Sequence, residues 1–130
     1  MYNIINTKQS PQPIGPYVQG VQINNFVFIS GQIPININSE IISNDISKQT
    51  EKSLQNIKNI IEKVGLKVNN IVKTTIFLIN LKEIDKVNCV YKNFFIQNNA
   101  RYPARTCVEV SKLPKNAKIE IEAIAIKNNL

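Results

Sequence analysis

The chain has 130 residues, 43% of them hydrophobic and only four glycine, which fits one folded domain and excludes intrinsic disorder. It contains no histidine and two cysteines, which excludes histidine triads, histidine general bases and most zinc or iron sites, and leaves too little sulfur for a disulfide framework. Its net charge is +7, but the lysines are scattered from Lys8 to Lys127 without interleaved aromatics. A solvated surface is therefore expected rather than a nucleic-acid groove, with an anionic small substrate as a second beneficiary of the field. The first ten residues lack the charged-then-apolar order of a secretory signal, and no apolar run approaches a bilayer span. A reducing cytoplasmic setting without membrane contact is the expectation.

Residues 2 to 6 can form a short strand. Residues 8 to 16 carry three prolines and a glycine and predict a shaped loop. The segments Y-V-Q-G-V-Q-I and F-V-F-I-S flank Asn24-Asn25, which predicts a tight hairpin because asparagine tolerates positive φ. Gly31, followed by Pro34, is expected to end the second of these strands. From Asp45 to Val64, Ile46, Thr50, Leu54, Ile57, Ile61 and Val64 recur at helical spacing, with Asp45 or Ser47 as cap and Gly65 beyond the last turn. Residues 71 to 79, I-V-K-T-T-I-F-L-I, read as a buried strand. A second helix is predicted from about Glu83 to Ile96, with Ile84, Val87, Val90 or Tyr91, and Phe94 or Phe95 inward. Strands near 105 to 111 and 118 to 126 close the chain.

The order β-β-β-α-β-α-β-β predicts an α+β domain spanning residues 1–130, a mixed sheet with two helices on one face. Ile124 and Ile126 share the parity of Glu120 and Glu122, so the sheet's second face is partly apolar and points to an oligomer.

After Pro103, alternation puts Ala104, Thr106, Val108 and Val110 on one face, expected to be core. Arg105, Cys107, Glu109 and Ser111 fall on the other. If the last two strands are antiparallel neighbours with Glu109 opposite Lys118, Cys107 faces Glu120 and Arg105 faces Glu122, about 5 Å apart, with Glu120 in diagonal reach of Arg105. Spacing alone makes these ordinary surface ion pairs and Cys107 a small packed residue. As a site, the guanidinium fork would bind a carboxylate and a glutamate would hold a water and move a proton. No phosphate loop or dinucleotide fingerprint is present.

The stretch P-A-R-T-C-V-E-V-S-K-L-P-K-N-A-K-I-E-I at 103 to 121 resembles the signature of the YjgF/RidA family of reactive-intermediate deaminases. The resemblance extends to I-G-P-Y at 14 to 17, I-S-G-Q-I-P at 29 to 34 and V-N-C-V-Y-K-N-F-F at 87 to 95, and so covers essentially the whole chain. It implies a chorismate-mutase-like fold and a homotrimer with sites in clefts between subunits. The implied activity is hydrolysis of 2-imino (2-enamino) acids, such as 2-iminobutanoate and 2-iminopropanoate, to 2-keto acids and ammonia, with no cofactor or metal. Arg105 would grip the substrate carboxylate and Glu120 would position the attacking water, as the two catalytic residues. The Cys107 backbone would help orient the ligand, and Tyr17, Ser30, Gly31 and Asn88 would line the cleft. The competing expectations are an RNA-associated translation inhibitor or ribonuclease, also reported in the family, and a non-catalytic sensor of small carboxylates.

Overall fold

The structure, a computed structural model, describes residues 2–128. Three strands come first, β1 (Asn3–Ile5), β2 (Gly20–Ile23) and β3 (Phe26–Gln32), followed by helix α1 (Ile46–Lys63) and strand β4 (Ile71–Leu78). Helix α2 (Ile84–Gln97), β5 (Ala104–Glu109) and β6 (Ile119–Ile126) complete the order read from the sequence. Asp45 caps α1 by accepting from the Lys48 N–H. Gly65 stands just beyond that helix at φ +78°, a conformation that costs a residue with a Cβ about 1 kcal/mol. The β2–β3 turn carries Asn24 at φ +52°.

The six strands form one sheet in the order β1-β2-β3-β6-β4-β5. Both helices cover the same face. The core there joins Leu54, Ile57 and Ile61 of α1 and Val87, Tyr91 and Phe95 of α2 to Ile76, Ile119 and Ile121 of the sheet. The other face is open. Phe26 and Phe28 stack on it at 6.2 Å between centroids, at 47% and 40% exposure. Ile126 and Ile124 are their neighbours in register. Among the described residues no helix is long and apolar enough to cross a membrane.

Two expectations are corrected. Gly31 does not end β3: the strand runs on to Gln32 through an irregular step between Ile29 and Gln32, which continues the pairing with β6 beyond the glycine. The last two strands are not antiparallel neighbours. Among the described residues β5 pairs only with β4, in parallel, while β6 lies between β3 and β4. The β4–α2–β5 segment is a strand–helix–strand crossover, and such a connection lays its second strand parallel to the first. The fully apolar side of β6 (Ile119, Ile121, Ala123 and Ala125, all buried) then takes the centre, and the largely exposed β5 takes the edge.

This topology reverses the faces of β5. Arg105 pairs with Thr74 and Cys107 with Ile76, both of them buried, so Arg105 and Cys107 point to the helix side. Ala104, Thr106 and Val108 share the open face with Glu120 and Glu122, because they lie across from Lys73, Thr75 and Phe77. The proposed opposition of Arg105 to Glu122 and Cys107 to Glu120 does not exist. Glu109 instead accepts from the Leu81 N–H at 2.9 Å, and Lys118 Nζ donates to the Asn44 carbonyl at 2.6 Å.

Candidate active site in two halves

One half lies on the open face. The proline-rich loop before β2 has no regular ladder, so its backbone groups need other partners. Gln19, 1% exposed, supplies them. Its Oε1 accepts from the Thr7 N–H at 2.7 Å, and its Nε2 donates to the carbonyls of Thr7, Ser10 and Pro11. Ser10 Oγ ties the loop to α1 by donating to the Asn56 carbonyl at 2.8 Å. This stitching carries Tyr17 to the rim of a cleft of about 440 Å³, lined also by Ser30, Gly31, Glu120 and Glu122, with Ile14, Ile33 and Pro114 as its apolar wall.

Within the cleft the polar atoms have distinct tasks. Tyr17 Oη accepts from the Ile14 N–H at 3.3 Å, which leaves its own proton to offer. Ser30 Oγ already donates to the Val18 carbonyl at 2.6 Å, so it presents only acceptor lone pairs. Gly31 makes room for the Glu120 carboxylate. A Cβ there would stand 2.5 Å from Glu120 Oε2, well inside van der Waals contact, so the missing side chain is the space the carboxylate occupies. Burial raises the pKa of Glu120 above the usual carboxylate value, and the charge of Glu122 raises it further. Both effects favour the protonated form and bring the group toward the range useful in proton transfer.

The other half lies on the helix side of the β5 edge. Arg105 Nη1 donates to Asn88 Oδ1 at 2.7 Å, and its guanidinium carbon sits 5.0 Å from the centroid of the Tyr91 ring. Among the described residues one N–H of the fork is used and the others stay free for a carboxylate. Cys107 is half-buried and packs against the core. Desolvation raises its thiol pKa, and the neighbouring Arg105 offsets this only in part. A thiol held in that direction is a poor nucleophile, and only the strand backbone faces the outer edge.

The structure thus brings Tyr17, Ser30, Gly31 and Glu120 together, and separately Asn88, Arg105 and Cys107, but it does not join the two sets in one chain. Arg105 and Glu120 point to opposite faces, on strands separated by β4, about 10 Å apart at the usual strand spacing. A larger hollow of about 590 Å³ beside Lys8 and Lys63 contains none of these residues. Residues missed as site components are Glu122, read only as an ion-pair partner, and Tyr91, read only as core. The signal for Tyr91 was its place three residues after Asn88, on the same side of a helix.

Comparison with known proteins agrees with the resemblance. A family model described as Endoribonuclease L-PSP matches residues 7–127. The chain is 50% identical to the 2-iminobutanoate/2-iminopropanoate deaminase of Salmonella typhimurium, over 98% of this chain and 99% of that protein. It is 54% identical to a RutC family protein of Buchnera aphidicola over the same shares. Among solved structures, Escherichia coli TdcF with bound serine superposes with a TM-score of 0.94 at 46% identity, covering 97% of this chain and 99% of that one. The YjgF gene product of Escherichia coli does so with 0.94 at 48% identity and the same coverage.

Proposed function

This chain belongs to the YjgF/RidA family, whose matching model is described as Endoribonuclease L-PSP, and we propose that it is an imine deaminase. Its substrates are 2-imino acids, 2-iminobutanoate and 2-iminopropanoate among them, and its products are 2-keto acids and ammonia. The observation that carries this reading is the pair of complementary half-sites. One offers a free guanidinium edge beside Asn88, the other a carboxylate of raised pKa beside Gly31. The deaminase relatives at 50% identity over nearly the full chain support it.

Because the halves occupy opposite faces, the working site is composite. Arg105 of one subunit meets Glu120 of another in a homotrimer of chorismate-mutase-like arrangement. The exposed Phe26 and Phe28 on the open face support such an assembly, since monomers rarely leave a contiguous apolar surface to water. The protein acts in the cytoplasm.

The chemistry follows from these groups. An imine carbon is already electrophilic, so the reaction needs orientation and a proton path. Arg105 takes the carboxylate bidentately and Asn88 fixes the fork, which sets the C=N carbon in the cleft. Glu120 holds a water against that carbon and takes its proton as the C–O bond forms. Glu120 passes that proton to the imine nitrogen, which gives a carbinolamine. It then takes the hydroxyl proton and delivers it to the nitrogen, so the C–N bond breaks, ammonia leaves and the oxygen becomes that of the ketone. Tyr17 has a hydroxyl proton for the carboxylate or the developing alkoxide.

The test is to generate the imine in situ with an amino-acid oxidase and follow its decay by absorbance. Catalytic amounts of protein accelerate the decay, and Arg105→Ala removes most of the acceleration. No acceleration, or an Arg105→Ala variant as fast as wild type, defeats the reading. The family description names an endoribonuclease, so the same preparation is assayed for RNA binding and cleavage. Binding that falls steeply with salt, together with cleavage, would move the function to RNA. Tight ligand binding without turnover would make the protein a carboxylate sensor.

A further inference from the structure

Arg105 sits on an exposed edge strand, where a long cationic side chain ordinarily samples many rotamers. Here it does not stand alone. Asn88 and Tyr91, one helical turn apart on α2, meet it from the same side. The amide oxygen takes Nη1 at 2.7 Å, and the tyrosine ring lies 5.0 Å from the guanidinium carbon. The ring is itself fixed. Tyr91 is 5% exposed, it packs against Phe95 at 4.8 Å between centroids, and its hydroxyl is 2.6 Å from Thr74 Oγ1. Thr74 is 1% exposed and lies directly across the parallel ladder from Arg105. The contacts close a loop from β5 to α2, from α2 to β4, and from β4 back to β5.

We propose that Tyr91, clamped by Thr74, is a positioning residue for Arg105. The guanidinium sits over the ring and Asn88 takes one corner, which holds the remaining N–H groups as a preformed carboxylate fork. This rests on the deaminase reading for its role in catalysis, but the arrangement itself is a property of the chain. A cation over an aromatic face is attracted by the ring quadrupole, and a fork held in place loses less freedom when it takes a carboxylate. The effect of Tyr91 therefore runs through substrate binding. The Thr74 contact has its own logic. Removing one of two buried hydroxyls leaves the other unsatisfied, whereas removing both leaves an apolar pair of similar shape.

The experiment measures kcat and KM for a 2-imino acid with Tyr91→Leu, Tyr91→Phe, Thr74→Val and Tyr91→Phe/Thr74→Val, and repeats Tyr91→Leu in the Arg105→Ala background. Tyr91→Leu is expected to raise KM about tenfold with kcat changed less than about threefold, and to add nothing once Arg105 is gone. Thr74→Val raises KM by a smaller factor, and the double variant, which keeps the ring and leaves no orphan hydroxyl, recovers toward wild type. A wild-type KM in Tyr91→Leu, or a further loss in the Arg105→Ala background, overturns the proposal. If Tyr91→Leu does not fold, the Thr74→Val loss and its recovery in the double variant decide it. A second readout needs no turnover. The ring current of Tyr91 shifts the Arg105 guanidinium resonance in nitrogen-15 NMR, and that shift is kept in Tyr91→Phe and lost in Tyr91→Leu. If Arg105→Ala turns over the imine as fast as wild type, the deaminase reading fails. The NMR shift then still decides the positioning claim, and an unchanged resonance in Tyr91→Leu overturns it.

Discussion

Arg105 and Glu120 project from opposite faces of one sheet, with β4 lying between their strands. Neither side chain can reach a substrate held by the other in the same chain, so the proposed site requires a second copy. The arrangement makes a prediction that a single-chain site does not. Arg105→Ala and Glu120→Gln are each nearly inactive, but chains of the two, unfolded and refolded together, regain activity. An intact site forms wherever an Arg105→Ala chain presents Glu120 to a Glu120→Gln chain presenting Arg105, which in a random equal mixture is about one interface in four. Activity near a quarter of wild type, checked against the hybrid population by native mass spectrometry, is the expected result. Hybrids that form and stay inactive would sink the composite site.

Gly31 and Glu120 compete for one volume. A methyl at residue 31 would sit 2.5 Å from Oε2 and 2.8 Å from the carboxyl carbon, so the carboxylate must move by most of an ångström. Displacements of that size in a positioned catalytic group lower kcat roughly 10- to 100-fold. Gly31→Ala is expected to show this loss with little change in melting temperature, because the yielding group is a side chain beside an open cleft. Full activity would mean that the Glu120 position is not needed.

The pKa of Glu120 is raised by burial first and by Glu122 second, which has consequences for rate and for stability. Glu122→Gln removes the second cause, so the acidic limb of the kcat/KM profile moves to lower pH. An unmoved limb would exclude Glu120 as the group that titrates. For stability the sign is opposite to that of a salt-bridged carboxylate. The folded chain holds the Glu120 proton more tightly than the unfolded one. Stability therefore falls as pH rises from the ordinary glutamate value through the raised one, and the penalty persists above it. Glu120→Gln should thus be stabilising at pH 7 relative to wild type, and less so at pH 4. Chemical denaturation at the two pH values measures this.

The helices were the most legible part of the chain. Their apolar stripe repeats every three to four residues, and Ile46, Thr50, Leu54, Ile57 and Ile61 are all buried as the spacing requires. Asn24-Asn25 likewise marked the hairpin correctly. Alternation along residues 104 to 109 was legible too, but it assigns two faces without saying which is inside. The choice of Ala104, Thr106 and Val108 as core followed hydrophobicity, and on this edge strand hydrophobicity misleads, since Val108 is 39% exposed. Its apolar face belongs to the open side, away from the helices and the core they cover. The helix side of the same strand ends in the Tyr91 ring, which accommodates a guanidinium. Strand order was the other gap. Nothing local in β5 and β6 reports that a helical crossover places β5 beside β4, although the β-α-β order already contained that information.

Gln19 is the residue on which the Tyr17 half of the site depends mechanically. Its side-chain amide makes four contacts to the loop, one accepted and three donated, in a position 1% exposed. Gln19→Ala leaves the Thr7 N–H and three carbonyls to find other partners in a loop whose three prolines limit how it can refold. Buried groups stripped of partners cost about 1–3 kcal/mol each when water cannot reach them. Partial hydration at the loop surface reduces this, for a net destabilisation of about 2–4 kcal/mol. The loss should be local before it is global. Hydrogen exchange over residues 7 to 19 rises more than exchange in β4 or β6, and KM rises as Tyr17 is released from the cleft rim. Uniform loss of protection across the sheet would show that Gln19 supports the core rather than the loop. Unchanged exchange in residues 7 to 19 would mean the prolines alone hold Tyr17 in place.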